Sequence, residues 1–547
     1  MAKIMKRPGT PDTLDEYIDN AIERINPRVV PIPILKEVKD FIDYAVLIEK
    51  RTMFIFTDYD VDGVTSDTVA VKLFRYVYPE AEIIHRTPKR LSEGYGFSMK
   101  VLPEVPDNSI LITIDNGIVA FDPIKAAKEK GCKVVVIDHH LGAEDGRLPD
   151  ADFIVDPNAI EGQAAFTGYC GCGLIYKLSQ MYKLPKYLAE ELRGLAALAT
   201  IADCVPLEQE NWLIARDLNF AAGNTAIGAL LEAYNIWDFT EGDAGFKVCP
   251  TLNAPGRLED DGAAKAVKFL LGDLSLLDEM IALNEQRKEL TETLMDTADI
   301  LIEKEGVGKD NAICLVMDAP EGIVGILAGR IAEKYQCPTI VCARVGDGKL
   351  KGSARTCGNN HLKRILDKCS DLLLGYGGHA AAAGLTFLEA NLPKVVERLN
   401  KLCVKEKYDA MYYDFEISPF YVQKSIVKIL DSLDTLRPFG QNNPEPIFYI
   451  SGLRLYPRGG GLFKTMGNKQ QHLKLFGRDI DVVMFGKADE YISNPYNKIN
   501  VVGKVGVNSF NGNDSYQMEA LYLEEAKTAK INTTLQNALN KRAEERT

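Results

Sequence analysis

No hydrophobic run in this chain approaches the about 20 residues that a bilayer-spanning helix needs. A transmembrane-helix protein is thereby excluded. The opening, MAKIMKRPGTPDTLDEY, is basic but has no apolar core behind it, so no secretory signal is expected. The 11 cysteines, Cys132, Cys170, Cys172 and Cys204 among them, include no CxxC pair. They read as reduced, partly buried thiols of a cytoplasmic protein, not as a zinc site or a disulfide frame. Repeats and low-complexity linkers are absent too. Histidine is scarce, six in 547 residues, so adjacent histidines carry weight.

What is present is a globular composition, 46% hydrophobic and 26% charged. The length suits about three to four domains. A formal charge of −13 argues at first against nucleic acid, whose affinity comes largely from phosphate neutralisation. Global charge is a weak test, because carboxylates gathered around bound cations add negative charge that the ions offset. Local basic stretches exist: Arg86, Lys89 and Arg90 ahead of a GYG turn, and Arg454, Arg458, Lys464, Lys469, Lys474 and Arg478 late in the chain. Each, taken alone, also reads as a solvated face.

Between Phe54 and Ile137 the pattern is apolar run, turn, helix, apolar run. MFIF, ILITI and VVVI are short and apolar throughout, as strands covered on both faces of a parallel sheet are. Helix-like segments at Ser66–Tyr78 and Asp122–Lys130 separate them, and FIV follows as a fourth run. From Leu258 to Glu305 the chain reads as a mostly helical connector. A second α/β unit follows, with ICLVM, the helix-like GIVGILAGRIAEKY, TIVCA and the small-residue stretch GYGGHAAAAG. From Tyr412 to Leu523, short alternating runs with Gly and Asn turns point to a small β-barrel. The final stretch is polar.

Three successive buried strands end in carboxylates. The first runs into TDYDVDG, with Asp58, Asp60 and Asp62, the second into DNG, with Asp115, and the third into DHH, with Asp138, His139 and His140. In an open parallel sheet the carboxyl ends of the strands line the ligand crevice, so these residues converge. Charges at a buried edge are costly unless paired or bound to metal. Aspartate oxygens with one or two imidazoles suit Mn²⁺ or Mg²⁺ better than zinc, and a pair of such ions forms a clamp for phosphoryl transfer. A lone DxD reads as a loop or a helix cap. Three such tips on consecutive strands do not.

TDYDVDG, DNG, DHH and TIADCVPL (200–207) resemble, in order, the four signature motifs of the DHH phosphoesterase superfamily. TLNAPGRL, GIVGILAGRI, KGSAR, GYGGHAAAAGLTF, LRPFGQNNPEPIF and HLKLFG resemble segments of its RecJ exonuclease branch. The likeness runs from about Phe54 to Leu523. It implies a parallel-sheet DHH domain and a smaller DHHA1 α/β domain joined by a long helix, plus a C-terminal OB-fold barrel. The expected divisions are an N-terminal extension over 1–48, the DHH domain over 49–225, a helical connector over 226–305, DHHA1 over 306–407, the OB-fold over 408–525 and a polar tail over 526–547.

The resemblance implies metal ligands at Asp60, Asp62, Asp115, His139 and Asp203, with Asp115 bridging two divalent cations, Mn²⁺ or Mg²⁺. Asp58 matches a motif position as a ligand or as a group orienting one. His140 is expected to face the scissile phosphate as a catalytic group, and Asp138 to hold a histidine. Arg355, His379, Gly378 and Ser353 match the DHHA1 phosphate grip, and Arg257 and Arg90 are further substrate candidates. Two departures stand out. Small-substrate relatives carry a histidine where this chain has Phe56, and the family's aromatic–His pair before GIVG is replaced here by Pro320 and Glu321.

The implied activity is metal-dependent 5′→3′ hydrolysis of single-stranded DNA to nucleoside 5′-monophosphates in repair and recombination, with a single-strand-binding protein or a helicase as partner and no membrane. Phe448, Tyr449, Tyr456, Phe463 and Phe476 offer stacking faces in the barrel, although aromatics in a small barrel are mostly core. Two alternatives stay open: a phosphodiesterase for short oligonucleotides or small nucleotides, and an inactive replication scaffold.

Overall fold

The computed structural model describes residues 3–306, 310–405, 410–467, 469–493, 495–510 and 513–526. The expected polar tail, apart from Ala526, lies outside them. By contact the chain divides into a larger unit, Ile25–Lys407 with Gly440–Asn442, and a smaller one, Met1–Arg24, Tyr408–Phe439 and Asn443–Thr547.

The larger unit opens on a five-stranded parallel sheet. In spatial order its strands are Ile83–Arg86, Met53–Phe56, Ile110–Ile114, Lys133–Ile137 and Phe153–Val155. Every residue of Met53–Phe56 and Ile110–Ile114 is buried, which is why these runs carry no polar alternation. Helices Val61–Val77, Gly171–Ser179 and Lys186–Ala202 cover one face. Their core also takes Leu35, Val38 and Ile42 from helix Ile34–Asp43, and Ile227, Leu230, Leu252, Val267 and Phe269 from further on. The expected boundary at 225/226 therefore falls inside one core. The helices from Thr225 to Leu270 pack their apolar residues, Ile227, Leu230, Leu252, Val267 and Phe269 among them, in the first domain's core.

Helix Leu277–Glu305 is the true connector, 29 residues and about 43 Å long. Met280 near its start packs in the first core, and Leu294, Ala298 and Ile302 pack in the next. The second sheet runs Gly375–Gly378, Ala382–Leu388, Lys349–Arg355, Thr339–Arg344, Ile313–Val316, and only its last pair is parallel. Helix Glu321–Tyr335 makes the crossover between those two strands. The small-residue stretch is a hairpin, with His379 exposed in its turn.

The smaller unit is a seven-stranded sheet in the order Phe415–Glu416, Phe448–Arg454, Lys498–Phe510, Asn513–Glu525, Asp481–Met484, His472–Phe476, Phe463–Met466. An antiparallel bridge between Leu455 and Gly477 brings two non-adjacent strands together and curls the sheet into a barrel. Two features depart from expectation. Helix Val422–Asp434, burying Val422, Ile426 and Leu433, interrupts the run of strands. Residues 1–48 do not form one extension either: Lys3–Lys6 pairs in parallel with Ala410–Tyr413 in this unit, whereas Ile34–Asp43 packs in the larger one.

Candidate metal centre

The parallel register aligns the strand tips, with Phe56 opposite Thr113 and Ile114 opposite Ile137. Asp58, Asp115 and Asp138 follow directly and share one rim. Asp60 caps helix Val61–Val77, its Oδ1 accepting from the Gly63 N–H at 3.2 Å. Asp62 lies in the first turn of that helix and is 2% exposed. Asp115 has φ 62°, while its N–H still donates to Ile137 O at 2.9 Å. The ladder thus holds it in a strained left-handed conformation that turns its carboxylate onto the rim. Asp203 arrives from the end of helix Lys186–Ala202.

These groups meet. Ligand atoms of Asp58, Asp60 and Asp115 lie within 4.8 Å of one another, as do those of Asp62, His139 and Asp203, and those of Asp115, His139 and His140. Nε2 of His139 is 3.0 Å from Asp115 Oδ1, 3.7 Å from Asp62 Oδ2 and 3.8 Å from Asp203 Oδ2. Burial first, and then repulsion from Asp60, pushes the Asp58 carboxyl well above the usual range. Burial and then Asp62 do the same at Asp115, and Asp203 rises to about 8 for the same causes. Burial, with the neighbouring His140, keeps His139 below its ordinary value and so neutral, as a ligand must be.

The donor set fits a divalent cation. It is rich in hard oxygen with one imidazole, and Asp58 keeps a buried Oδ1 that has no hydrogen-bond partner. Carboxylates this close remain ionised together only with positive charge among them.

How Asp62 is held leaves no trace in its local sequence. The N–H groups of Gly171 and Cys172, opening helix Gly171–Ser179, donate to its two oxygens at 2.7 and 2.8 Å. Cys170 and Cys172, read as packing residues, are indeed buried, but the backbone between them does the positioning. A Cβ on Gly171 would stand 2.6 Å from the Asp115 Cβ, so only glycine fits there.

His140 is gripped by Asp138, whose Oδ1 lies 2.8 Å from Nδ1. Burial alone would lower its pKa, but the bond and charge of Asp138 outweigh that and hold it at about 9. Asp138 is fixed in turn by the Ile118 N–H at 2.9 Å. The Tyr95 hydroxyl lies 3.1 Å from Nε2 and 3.4 Å from Nδ1 of the same ring. Sequence reasoning missed Tyr95, although it noticed the GYG turn that contains it.

The substrate candidates sit around this rim. Arg90 lies 4.4 Å over the Tyr59 ring. Arg257, half-buried in helix Cys249–Leu258, donates to Gly322 O at 3.1 Å; burial and then the charge of Arg90 lower it to about 10. Arg355 ends the strand paired with Ala382–Leu388, and its Nη1 donates to Ser353 Oγ at 3.0 Å and Ala354 O at 2.9 Å. Gly378, at φ 136°, leads into exposed His379, whose imidazole is lowered by partial burial and then by the charge of His140. The structure thus brings His379 within electrostatic reach of the rim. Glu321, in the place of the family histidine, pairs instead with Lys351 at 2.6 Å.

Among the barrel aromatics, Phe448 and Phe476 are buried core, Tyr449 and Phe463 are half-buried, and Tyr456 is exposed beside Arg454.

Family models described as "DHH family, N-terminal domain", "DHHA1 domain" and "RecJ OB domain" match residues 52–200, 309–405 and 413–521. The single-stranded-DNA-specific exonuclease RecJ of Salmonella typhimurium is 31% identical over 522 residues, covering 87% of this chain and 88% of that protein. The protein of the same name from Bacillus subtilis is 31% identical over 505 residues; the match covers 88% of this chain and only 62% of that protein's length. Among solved structures, Thermus thermophilus RecJ in complex with Mn²⁺ superposes with TM-score 0.75 at 22% identity, over 96% of this chain and 80% of that one. An exonuclease RecJ bound to manganese is 28% identical with TM-score 0.57, over 68% of this chain and 94% of that one.

Proposed function

This chain belongs to the RecJ family of the DHH superfamily, and from that membership we propose that it is a metal-dependent exonuclease that degrades single-stranded DNA. The observation that carries the reading is the convergence of Asp58, Asp60, Asp62, Asp115, His139 and Asp203 on one buried rim. In this reading Asp58, Asp60 and Asp115 would hold one divalent cation, and Asp62, His139 and Asp203 would hold a second. Mn²⁺ or Mg²⁺ are the cofactors, in keeping with the oxygen-rich set and the manganese-bound relative. When bound, such a pair neutralises charge at the scissile phosphate and activates the attacking water.

The chain's own groups do the rest. Asp138 and Tyr95 hold His140, protonated, toward the cleft, where it stabilises phosphate charge and donates a proton to the leaving 3′ oxygen. Arg355, with Ser353 behind it, and His379 on its glycine turn at Gly378 grip the substrate phosphate, while Arg257 and Arg90 extend the cationic wall. Residues 306–407 are then the gripping domain and 408–525 the strand-capturing OB-fold. We place the protein in the cytoplasm, in repair and recombination, with single strands supplied by a helicase or a single-strand-binding protein.

The test is digestion of 5′- and 3′-labelled single and double strands with Mn²⁺. Early release of labelled mononucleotide from the 5′-labelled single strand, with duplex spared, is expected. Activity confined to di- and trinucleotides would move the protein to the small-substrate branch, and loss of the 3′ label first would reverse the polarity.

A further inference from the structure

Away from the metal rim, one buried carboxylate accepts no hydrogen bond among the described residues. Asp67, in helix Val61–Val77, has 0% exposure, and neither of its oxygens accepts a hydrogen bond among the described residues. Its Oδ1 lies 2.9 Å from His85 Nδ1, close enough for attraction but outside hydrogen-bond geometry. The hydroxyl of Thr87, at 1% exposure, is equally unpartnered. His85 and Thr87 are two residues apart along the edge strand Ile83–Arg86 and its end, so they share one face. A buried carboxylate without donors is costly. These atoms are suited to a ligand that brings the donors with it.

They line a cavity of about 370 Å³, within the range of about 300–1,000 Å³ typical of small-molecule sites. Val267 and Leu271 give it an apolar wall, and Lys268 and Asp273, both exposed, stand at its mouth. One Asp273 oxygen accepts from Ser275 Oγ at 2.5 Å, leaving the other free of that bond.

We infer that this cavity binds a guanine nucleotide. Two carboxylate oxygens that accept no hydrogen bond, one of them beside His85, suit two adjacent N–H donors on one rigid edge. Guanine offers that pair at N1 and the 2-amino group; adenine and cytosine each offer a single amino group beside an acceptor. The planar base fits against Val267 and Leu271, the Lys268 ammonium suits a phosphate, and Asp273 suits a ribose hydroxyl. The Thr87 hydroxyl is a donor for the base carbonyl. A guanidinium carries a comparable N–H pair, so free arginine is the competitor to separate.

The experiment is calorimetric titration of the whole protein in EDTA with 5′-GMP, IMP, AMP and arginine. Because no divalent ion is present, the outcome is independent of the nuclease reading. One GMP per chain is expected, with IMP, which lacks the 2-amino group, about 10-fold weaker or worse, and AMP undetectable. Asp67→Asn should weaken GMP by about 10-fold or more, and Leu271→Trp should abolish binding by filling the cavity, both with melting behaviour and nuclease rate retained. Asp115→Ala, at the rim, should bind GMP as wild type does, which separates this site from product binding at the metal centre. If Asp67→Asn fails to fold, Leu271→Trp decides. Absence of GMP binding, equal binding of AMP, binding unmoved by both cavity variants, or Asp67-dependent capture of arginine in place of GMP each overturns the inference.

Discussion

His140 shows how single residues set the chemistry. Its ring would be neutral near pH 7 if burial acted alone; the Asp138 carboxylate at 2.8 Å raises its pKa to about 9. In metal-free protein, Asp138→Asn is therefore expected to drop the His140 midpoint by a unit or more, as read by imidazole NMR, and to slow hydrolysis by about 10–100-fold. A midpoint unchanged in the variant would remove Asp138 from the account. Asp156 makes a stability prediction. It is fully buried, one oxygen has no partner, and burial, augmented by the charge of Asp138, lifts its carboxyl to about 7. The folded protein thus keeps this proton up to about pH 7, while the unfolded chain loses it near the ordinary carboxyl value of 3.8. Stability falls as pH rises between those two values, by an amount on the order of 4 kcal/mol at most. Asp156→Asn should raise the melting temperature at pH 8 and leave it nearly unchanged at pH 4. A gain at both pH values would show that ionisation is not the cause.

At the scale of elements, the site depends on close backbone approaches. Gly322, opening helix Glu321–Tyr335, packs so tightly on helix Cys249–Leu258 that a Cβ would lie 2.2 Å from Arg257 O. Gly322→Val is expected to displace Arg257 and the gripping domain together, raising KM for single strands more than it lowers thermal stability; an unchanged KM would argue that the contact is only structural. Legibility also divides at this scale. The strands that carry Asp58, Asp115 and Asp138 were readable because full burial makes them uniformly apolar, and the DHH and DHHA1 regions followed from their motifs. Helix Val422–Asp434 carries its own helical period, with Val422, Ile426 and Leu433 buried along one face, and lies hidden only by the strand-like runs around it. The strand Lys3–Lys6 was unreadable in principle, since its partner Ala410–Tyr413 lies some 400 positions away and leaves no local trace. The same holds for Asp62, whose backbone donors at Gly171 and Cys172 come from a distant helix.

For the whole molecule, the proposed function gives cleavage to the rim and strand capture to the barrel, which presents an exposed aromatic–arginine pair. Arg454 lies 5.8 Å from the Tyr456 ring centroid, and Tyr456 is 40% exposed. Replacing both with alanine should weaken single-strand binding by about 10-fold while hydrolysis of a dinucleotide is unaffected; equal loss on both substrates would assign the pair to stability.

The most direct measurement is manganese stoichiometry by electron paramagnetic resonance, followed in parallel with nuclease rate. Wild type should take up about two ions per chain, with activity rising as they bind, and Asp115→Ala should lose ions and rate together. A wild-type chain that binds no manganese, or an Asp115→Ala variant that binds and cuts as well as wild type, would contradict the account at its foundation.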